Sequence, residues 1–459
     1  MEKKQLHLVM FPWFAMGHMT PFLHLANKLA ERGHKTTLLL PNKAKLHLEL
    51  LNLHPLLITL HPISVPHVDP LPRGTETASD IPIHMTSHLA TALDLTRPEV
   101  ESVVAGLRPV DVMFYDLAYW VPKVASVYGI KTVCYKVVCA ASLAIAVVPA
   151  RDLGRGRPVT EEDVAQPPPG YPSKDVVLHG SEAKSLLFIG LDFGSGLMFY
   201  ERVSKAIVSC DAIAIRTCRE IEGPFCDYLG SQYNKPVFLT GPVLPETEPT
   251  KGALDGPWAE WLAKHGPEEV IFCAFGSQFI LEKDQFQEFV LGFEMTKLPF
   301  LMAVKPPTGC ASIEEALPEG FKDRVGDKGV ITDRWVQQPL ILAHPSVGCF
   351  VNHCGFGSMW ESLTSKCQIV LVPQLGDQIL NTRLMAGELK VGVEVERKEN
   401  GLVTKESLCN AINLVMDEKS EVGCLVKKNH AKWRDILISQ GFMSEYIDNF
   451  VKDLLKLVG

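Results

Sequence analysis

A chain of 459 residues is longer than one ordinary hydrophobic core organises, so two domains are expected. Hydrophobic residues at 46% and charged residues at 21% exclude a disordered or fibrous polypeptide, and a net charge of -8 without a Lys/Arg block argues against nucleic acid as partner. Twelve cysteines with no C-x-x-C pair read as reduced thiols of a cytoplasmic protein rather than as a disulfide framework.

The N-terminal MEKKQLHLVMFPWFAMGHM imitates a signal peptide, with two lysines ahead of apolar residues. His7 and Pro12 break the run and no small-residue cleavage site follows, so a buried first strand, LHLVMF (6–11), is the better reading. Pro21 suits the first turn of a helix. Phe22, Leu25, Ala26 and Leu29 recur at helical spacing, and Gly33 stops the pattern. KTTLLL (35–40), DVMFY (111–115), KTVCYKVV (131–138) and DAIAI (211–215) are further strands, with helical patterns between several of them. The longest apolar stretch, 137–150, is too short to span a bilayer.

Residues 151–186 interrupt this rhythm with proline, glycine and charge, and read as a long loop, functional or merely a surface insertion. GPVLPETEPTKGALDGP (241–257) reads as a linker. Beyond it EVIFCAF (269–275), FLMAV (300–304), GVITD (329–333), GCFVN (348–352), IVLVPQ (369–374) and VGVEV (391–395) restart the alternation. The expected organisation is α/β: a doubly wound domain over 1–240, the linker 241–257, a second such domain over 258–440, and a last helix at 441–459. No repeat relates the two halves.

In open α/β sheets, ligands bind outside the C-terminal strand ends. In the first half that place is FPWFAMGHMTP, with His18. In the second it is HCGFGSMWES, residues 353–362. Neither carries G-x-G-x-x-G, and G-x-x-x-x-G-K-[ST] is absent, which disfavours a nicotinamide dehydrogenase or a phosphate-hydrolysing motor. Gly355 and Gly357 let the backbone approach an anion, Ser358 offers a hydroxyl, and the helix start offers N–H groups and its positive dipole end. With His353 as a further donor, a diphosphate is the natural guest. Cys349 and Cys354 flank His353, but no fourth ligand lies at a sensible spacing, so no metal is expected.

The 44 residues from Trp335 to Gln378, WVQQPLILAHPSVGCFVNHCGFGSMWESLTSKCQIVLVPQLGDQ, closely resemble the signature box of plant secondary-product UDP-glycosyltransferases. GH at 17–18, FYD at 114–116 and AFGSQ at 274–278 extend the resemblance over essentially the whole chain. It implies a GT-B fold, two Rossmann-like doubly wound domains facing a cleft, with the last helix returning to the first domain. It implies that Trp335 stacks on uracil, with Val336 and Gln338 near base and ribose, and that Glu361 accepts from the ribose hydroxyls. His353, Gly355, Phe356, Gly357 and Ser358 are then the diphosphate cradle, Ser277 an additional phosphate contact, and Asp377 and Gln378 the contacts to the donor sugar. His18 is implied as the general base and Asp116 as its partner, with UDP-sugar as donor substrate and neither cofactor nor metal required.

Most of the family has HCGWNS where this chain has HCGFGS. The FGSMWES form, with PPPGYPSKDVVL (167–178) and DLAYWVP (116–122), resembles the subgroup that adds a second sugar to a flavonoid or anthocyanin glycoside. The expectation is an inverting transfer of xylose or glucose to the 2″ hydroxyl of an anthocyanidin or flavonol 3-O-glycoside, by a cytoplasmic monomer. The alternatives are 6″-O-rhamnosylation, transfer to terpenoid glycosides, and a non-catalytic UDP-sugar-binding protein.

Overall fold

The structure is a computed structural model and describes residues 5–154, 157–244, 254, 256–276, 279–374 and 376–459. Contacts divide the chain into two units, Met1–Pro245 with Gln440–Gly459, and Glu246–Ser439. Most of the expected linker, 241–257, lies outside the described residues.

The first unit holds strands β1 (His7–Phe11), β2 (Lys35–Pro41), β3 (Ile58–Ile63), β4 (Val112–Tyr115), β5 (Lys131–Lys136), β6 (Ala212–Ile215) and β7 (Val237–Leu239). All pair in parallel, in the order β3-β2-β1-β4-β5-β6-β7. Continuous apolar runs such as VMFY are buried throughout, as strands covered on both faces must be. The edge strands β3 and β7 escape sequence reading for a physical reason. β3, ITLHPI, alternates buried and exposed residues and carries Pro62, while β7 is three half-buried residues.

The second unit holds β8 (Val270–Ala274), β9 (Phe300–Ala303), β10 (Gly329–Thr332), β11 (Val347–Asn352), β12 (Gln368–Leu371) and β13 (Val393–Glu394). Their order is β10-β9-β8-β11-β12-β13, again parallel. Apolar residues of each sheet and its covering helices form the cores.

The last helix, Phe442–Val458, is amphipathic. Ile447, Phe450 and Leu454 enter the core of the first unit, where the Phe450 ring lies 6.1 Å from Phe114. The described part of 151–186 holds the short Glu161–Val164 helix and enters the Gly180–Gly190 3-10 helix, and bonds from side chains order the rest. Buried Arg151 donates to the carbonyls of Ile145 and Asp163, each at 2.5 Å, and Tyr228 Oη donates to Pro169 O at 2.8 Å. Among the described residues no helix is long and apolar enough to cross a membrane.

Candidate active site

The strand orders mark one crevice in each unit. In the first sheet the chain winds one way from β1 to β2 and β3, and the other way from β4 onward, so the switch point lies between β1 and β4. In the second sheet it lies between β8 and β11. The sequence candidates fall on these points.

His18 lies in the first turn of the Met16–Ala30 helix that follows β1, and Asp116 directly follows β4. Across the switch point His18 Nδ1 bonds Asp116 Oδ2. Asp116 is 2% exposed and the His18 side chain 23%, so the carboxylate is sealed in while the imidazole keeps an open side. Bonded at Nδ1 to a carboxylate, the ring donates there and holds its lone pair at Nε2. Asp116 has a second partner that sequence reading missed. Lys136, the last residue of β5 and equally buried, donates from Nζ to Asp116 Oδ1 at 3.1 Å and to the Asp116 carbonyl at 3.0 Å. Burial alone would raise the Asp116 pKa, but the Lys136 ammonium and then His18 hold it below the ordinary carboxylate value. The available signal was a lysine inside the apolar run KTVCYKVV.

The neighbouring loops are aromatic and cross-braced. Trp120 tilts onto Phe11 at 5.7 Å, and Trp13 onto Phe193 at 5.6 Å. Trp120 Nε1 donates to Asp94 Oδ1 at 3.1 Å, and fully buried Arg202 grips both Asp94 oxygens at 2.9 and 2.7 Å. This brace also went unread in the sequence.

In the second unit β11 ends at Asn352, and the Phe356–Thr364 helix starts four residues later. The turn is fixed from both sides. Asn352 Oδ1 accepts from the Cys354 N–H at 2.8 Å, and Asn381 donates to the Cys354 carbonyl at 2.8 Å, with Cys354 itself at φ 56°. The Gly355 cap position has no side chain to bond the helix start and the first turn has no acid, so among the described residues no side chain caps its free N–H groups. His353 is packed between glycines. A Cβ on Gly355 would lie 2.6 Å from His353 Nε2, and one on Gly276, just after β8, 3.0 Å from it. Burial pushes the His353 pKa down to about 4, the Ala274 backbone pulling weakly the other way, so the ring is neutral near pH 7. A neutral ring of this kind can offer an anion an N–H donor but no standing charge.

Phe356 is buried, and its ring packs edge-on against Trp360 at 5.8 Å, so its side chain plugs the core while its backbone belongs to the helix start. Ser358 is half-buried in the first turn. Glu361 accepts from Gln338 Nε2, which joins two of the expected ribose-side residues. Trp335 is 80% exposed, an open aromatic face, while the adjacent Val336 is buried in the core. Asp377 is half-buried in the first turn of the Gly376–Thr382 helix. Gln378 is buried, and its Oε1 accepts from the Gln374 N–H at 2.8 Å, so it also fastens its own turn. Ser277 lies outside the described residues.

Two parallel doubly wound units define the GT-B class, and the uncapped helix start at 356, beside a neutral histidine, suits the anionic end of a nucleotide-sugar. Comparison with known proteins bears out the class. The family described as UDP-glucoronosyl and UDP-glucosyl transferase matches residues 319–431. The chain is 56% identical over 460 residues to the Arabidopsis thaliana anthocyanidin 3-O-glucoside 2'''-O-xylosyltransferase, covering 100% of this chain and 98% of that one. It is 57% identical to the Saponaria officinalis UDP-glucosyl transferase 79T1, covering 100% of both. The crystal structure of Arabidopsis thaliana UGT89C1 with UDP-L-rhamnose superposes with a TM-score of 0.77 at 21% identity, over 98% of this chain and 99% of that one, and shares the fold. The chain belongs to the plant UDP-glycosyltransferase family and is a UDP-glycosyltransferase.

Proposed function

We propose that this enzyme transfers xylose from UDP-xylose to a hydroxyl of the first sugar of an anthocyanidin 3-O-glucoside, inverting the anomeric centre, with His18 as general base. The observation that carries the mechanism is the bond from His18 Nδ1 to a buried carboxylate across the switch point of the first sheet. A sugar hydroxyl is a poor nucleophile at neutral pH, so a positioned base matters. His18 Nε2 takes the hydroxyl proton as that oxygen bonds to C1 of the donor sugar. The C1–O bond to the diphosphate breaks, and UDP carries the electron pair away. Asp116 orients the ring and offsets the imidazolium charge, as in a His–Asp pair of hydrolases.

Donor and acceptor rest on full-length relatedness to the xylosyltransferase at 56% identity. His353, the helix start at Phe356–Ser358, Glu361 with Gln338, and exposed Trp335 are assigned to diphosphate, ribose and uracil. Asp377 and Gln378 are assigned to the donor sugar, without need of a cofactor or metal. All twelve cysteines are free, ten of them buried, which suits a reducing cytoplasm.

The test is a purified-enzyme assay of UDP-xylose, UDP-glucose and UDP-rhamnose against cyanidin 3-O-glucoside and cyanidin. The expected result is a disaccharide product from the glucoside, fastest with UDP-xylose. Product from the aglycone alone would sink the sugar–sugar reading, and faster transfer from another donor would reassign the sugar.

A further inference from the structure

We infer that Lys136 is a positioning residue for the catalytic base, fixing the Asp116 carboxylate so that one of its oxygens faces His18. The inference rests on the assignment of His18 as base and adds a third member to the pair. One ammonium holds two parts of one residue, the side-chain Oδ1 at 3.1 Å and the main-chain carbonyl at 3.0 Å. These two contacts settle the rotation of the Asp116 side chain and leave Oδ2 for His18 Nδ1. Without Lys136 the carboxylate would keep His18 as its one partner among the described residues and could turn.

A purely structural role explains the lysine poorly. β4 and β5 are already joined in register from Val112↔Lys131 to Tyr115↔Cys134, so their pairing does not need a buried ion pair. Taking a carboxylate and an ammonium out of water is costly, and apolar residues of similar size are often as good for stability. Both partners here are 2% exposed. Cys134 Sγ also donates to the Asp116 carbonyl, at 3.7 Å. The titratable groups that face the ammonium are Asp116, Cys134, Cys210 and Tyr233. Burial keeps the last three neutral, with pKa values raised to about 12, about 11 and about 12. The Asp116 carboxylate is therefore the charge that the ammonium answers.

The test is steady-state kinetics of Lys136→Met and Lys136→Gln, alone and in an Asp116→Ala background, with thermal melts as a check on folding. Lys136→Met is expected to lower kcat by about 10- to 100-fold, the usual cost of misplacing a catalytic group, with KM for the UDP-sugar changed less than about threefold. Lys136→Gln keeps a donor toward Asp116 and is expected to recover kcat to within about fivefold of the native enzyme. In the Asp116→Ala background Lys136→Met should cost less than about twofold more, because its effect passes through Asp116. A folded Lys136→Met enzyme with native kcat would overturn the inference, and so would its full loss repeated on top of Asp116→Ala. If Lys136→Met does not fold, Lys136→Gln decides: a loss as deep as that of Asp116→Ala overturns the inference. His18→Ala is run alongside. Native turnover there would overturn the base assignment itself, whereas an inactive His18→Ala beside a silent Lys136→Met would overturn only the role of Lys136.

Discussion

The two sheets put different chemistry at the same topological place. Strand β1 corresponds to β8 in sheet order, and β4 to β11. In the first unit the residues facing each other across the switch point are a histidine after β1 and a carboxylate after β4. In the second, a glycine after β8 faces a histidine after β11. A histidine bonded to a carboxylate has somewhere to place the charge of a proton it accepts. A desolvated histidine wedged between glycines stays neutral and carries a single ring N–H, which is the donor that the proposed diphosphate would use. On the proposed roles, one fold used twice separates proton transfer from anion binding, and the difference lies in what stands opposite the ring.

The largest expected effect breaks this division at the first unit. His18→Ala should lower kcat by about 100-fold or more, the usual worth of a general base, and leave UDP affinity by calorimetry within about twofold. The mirror experiment is His353→Ala. It should weaken UDP binding by about 10- to 100-fold, the worth of a hydrogen bond to a charged group. If His18→Ala also removed UDP binding, the separation would be wrong.

Acidity tests the desolvation behind the contrast. Burial lowers the pKa of His353 and His430 in the second unit to about 4, and that of His24 in the first to about 3. The unfolded chain has histidines near 6.5, so below that pH it binds more protons than the native state. Stability present above pH 6.5 is therefore lost as pH falls toward 4, by on the order of 2 kcal/mol for each histidine at pH 5. Urea midpoints at pH 7.5 and pH 5 measure it. His430→Gln, which can still donate to the Ser362 carbonyl that His430 Nε2 reaches at 3.0 Å, should flatten the dependence. An unchanged slope would show that His430 is not desolvated in solution.

What could be read from the sequence follows where each residue gets its meaning. Central strands such as LHLVMF and GCFVN are legible because burial on both faces demands unbroken apolar runs. The edges β3 and β7 are not, because an edge tolerates polar residues and proline. His18 and His353 stand out at strand ends beside glycine. Their difference in character does not, since it depends on Asp116, 98 residues from His18, and on Gly276, which is remote from His353 in sequence. Phe356 was legible as an aromatic in a hinge, but its purpose, packing on Trp360, needed the helix to place the two rings together.

The glycines give a finer test. Gly355→Ala would place a Cβ 2.6 Å from His353 Nε2, so the ring must move, and UDP affinity should fall about tenfold, the worth of one misdirected hydrogen bond. The double substitution Gly355→Ala, His353→Ala should bind no worse than His353→Ala alone, because the ring that the methyl displaces is gone.

Gly357 lies one residue into the same helix and differs in kind. Among the described residues nothing lies within 4 Å of where its Cβ would be. Packing does not require a glycine there, and alanine is the better helix former by about 0.5–1 kcal/mol. Gly357→Ala should therefore raise the melting temperature of the unliganded protein by about 1–3 °C. If the open space is where the diphosphate meets the helix start, the same methyl group stands in its way and UDP affinity should fall by about two- to fivefold. Stability and affinity then move in opposite directions, which separates a glycine kept for a ligand from one kept for the fold. A rise in melting temperature with unchanged affinity would place the diphosphate away from residue 357 and leave His353 and Ser358 to hold it.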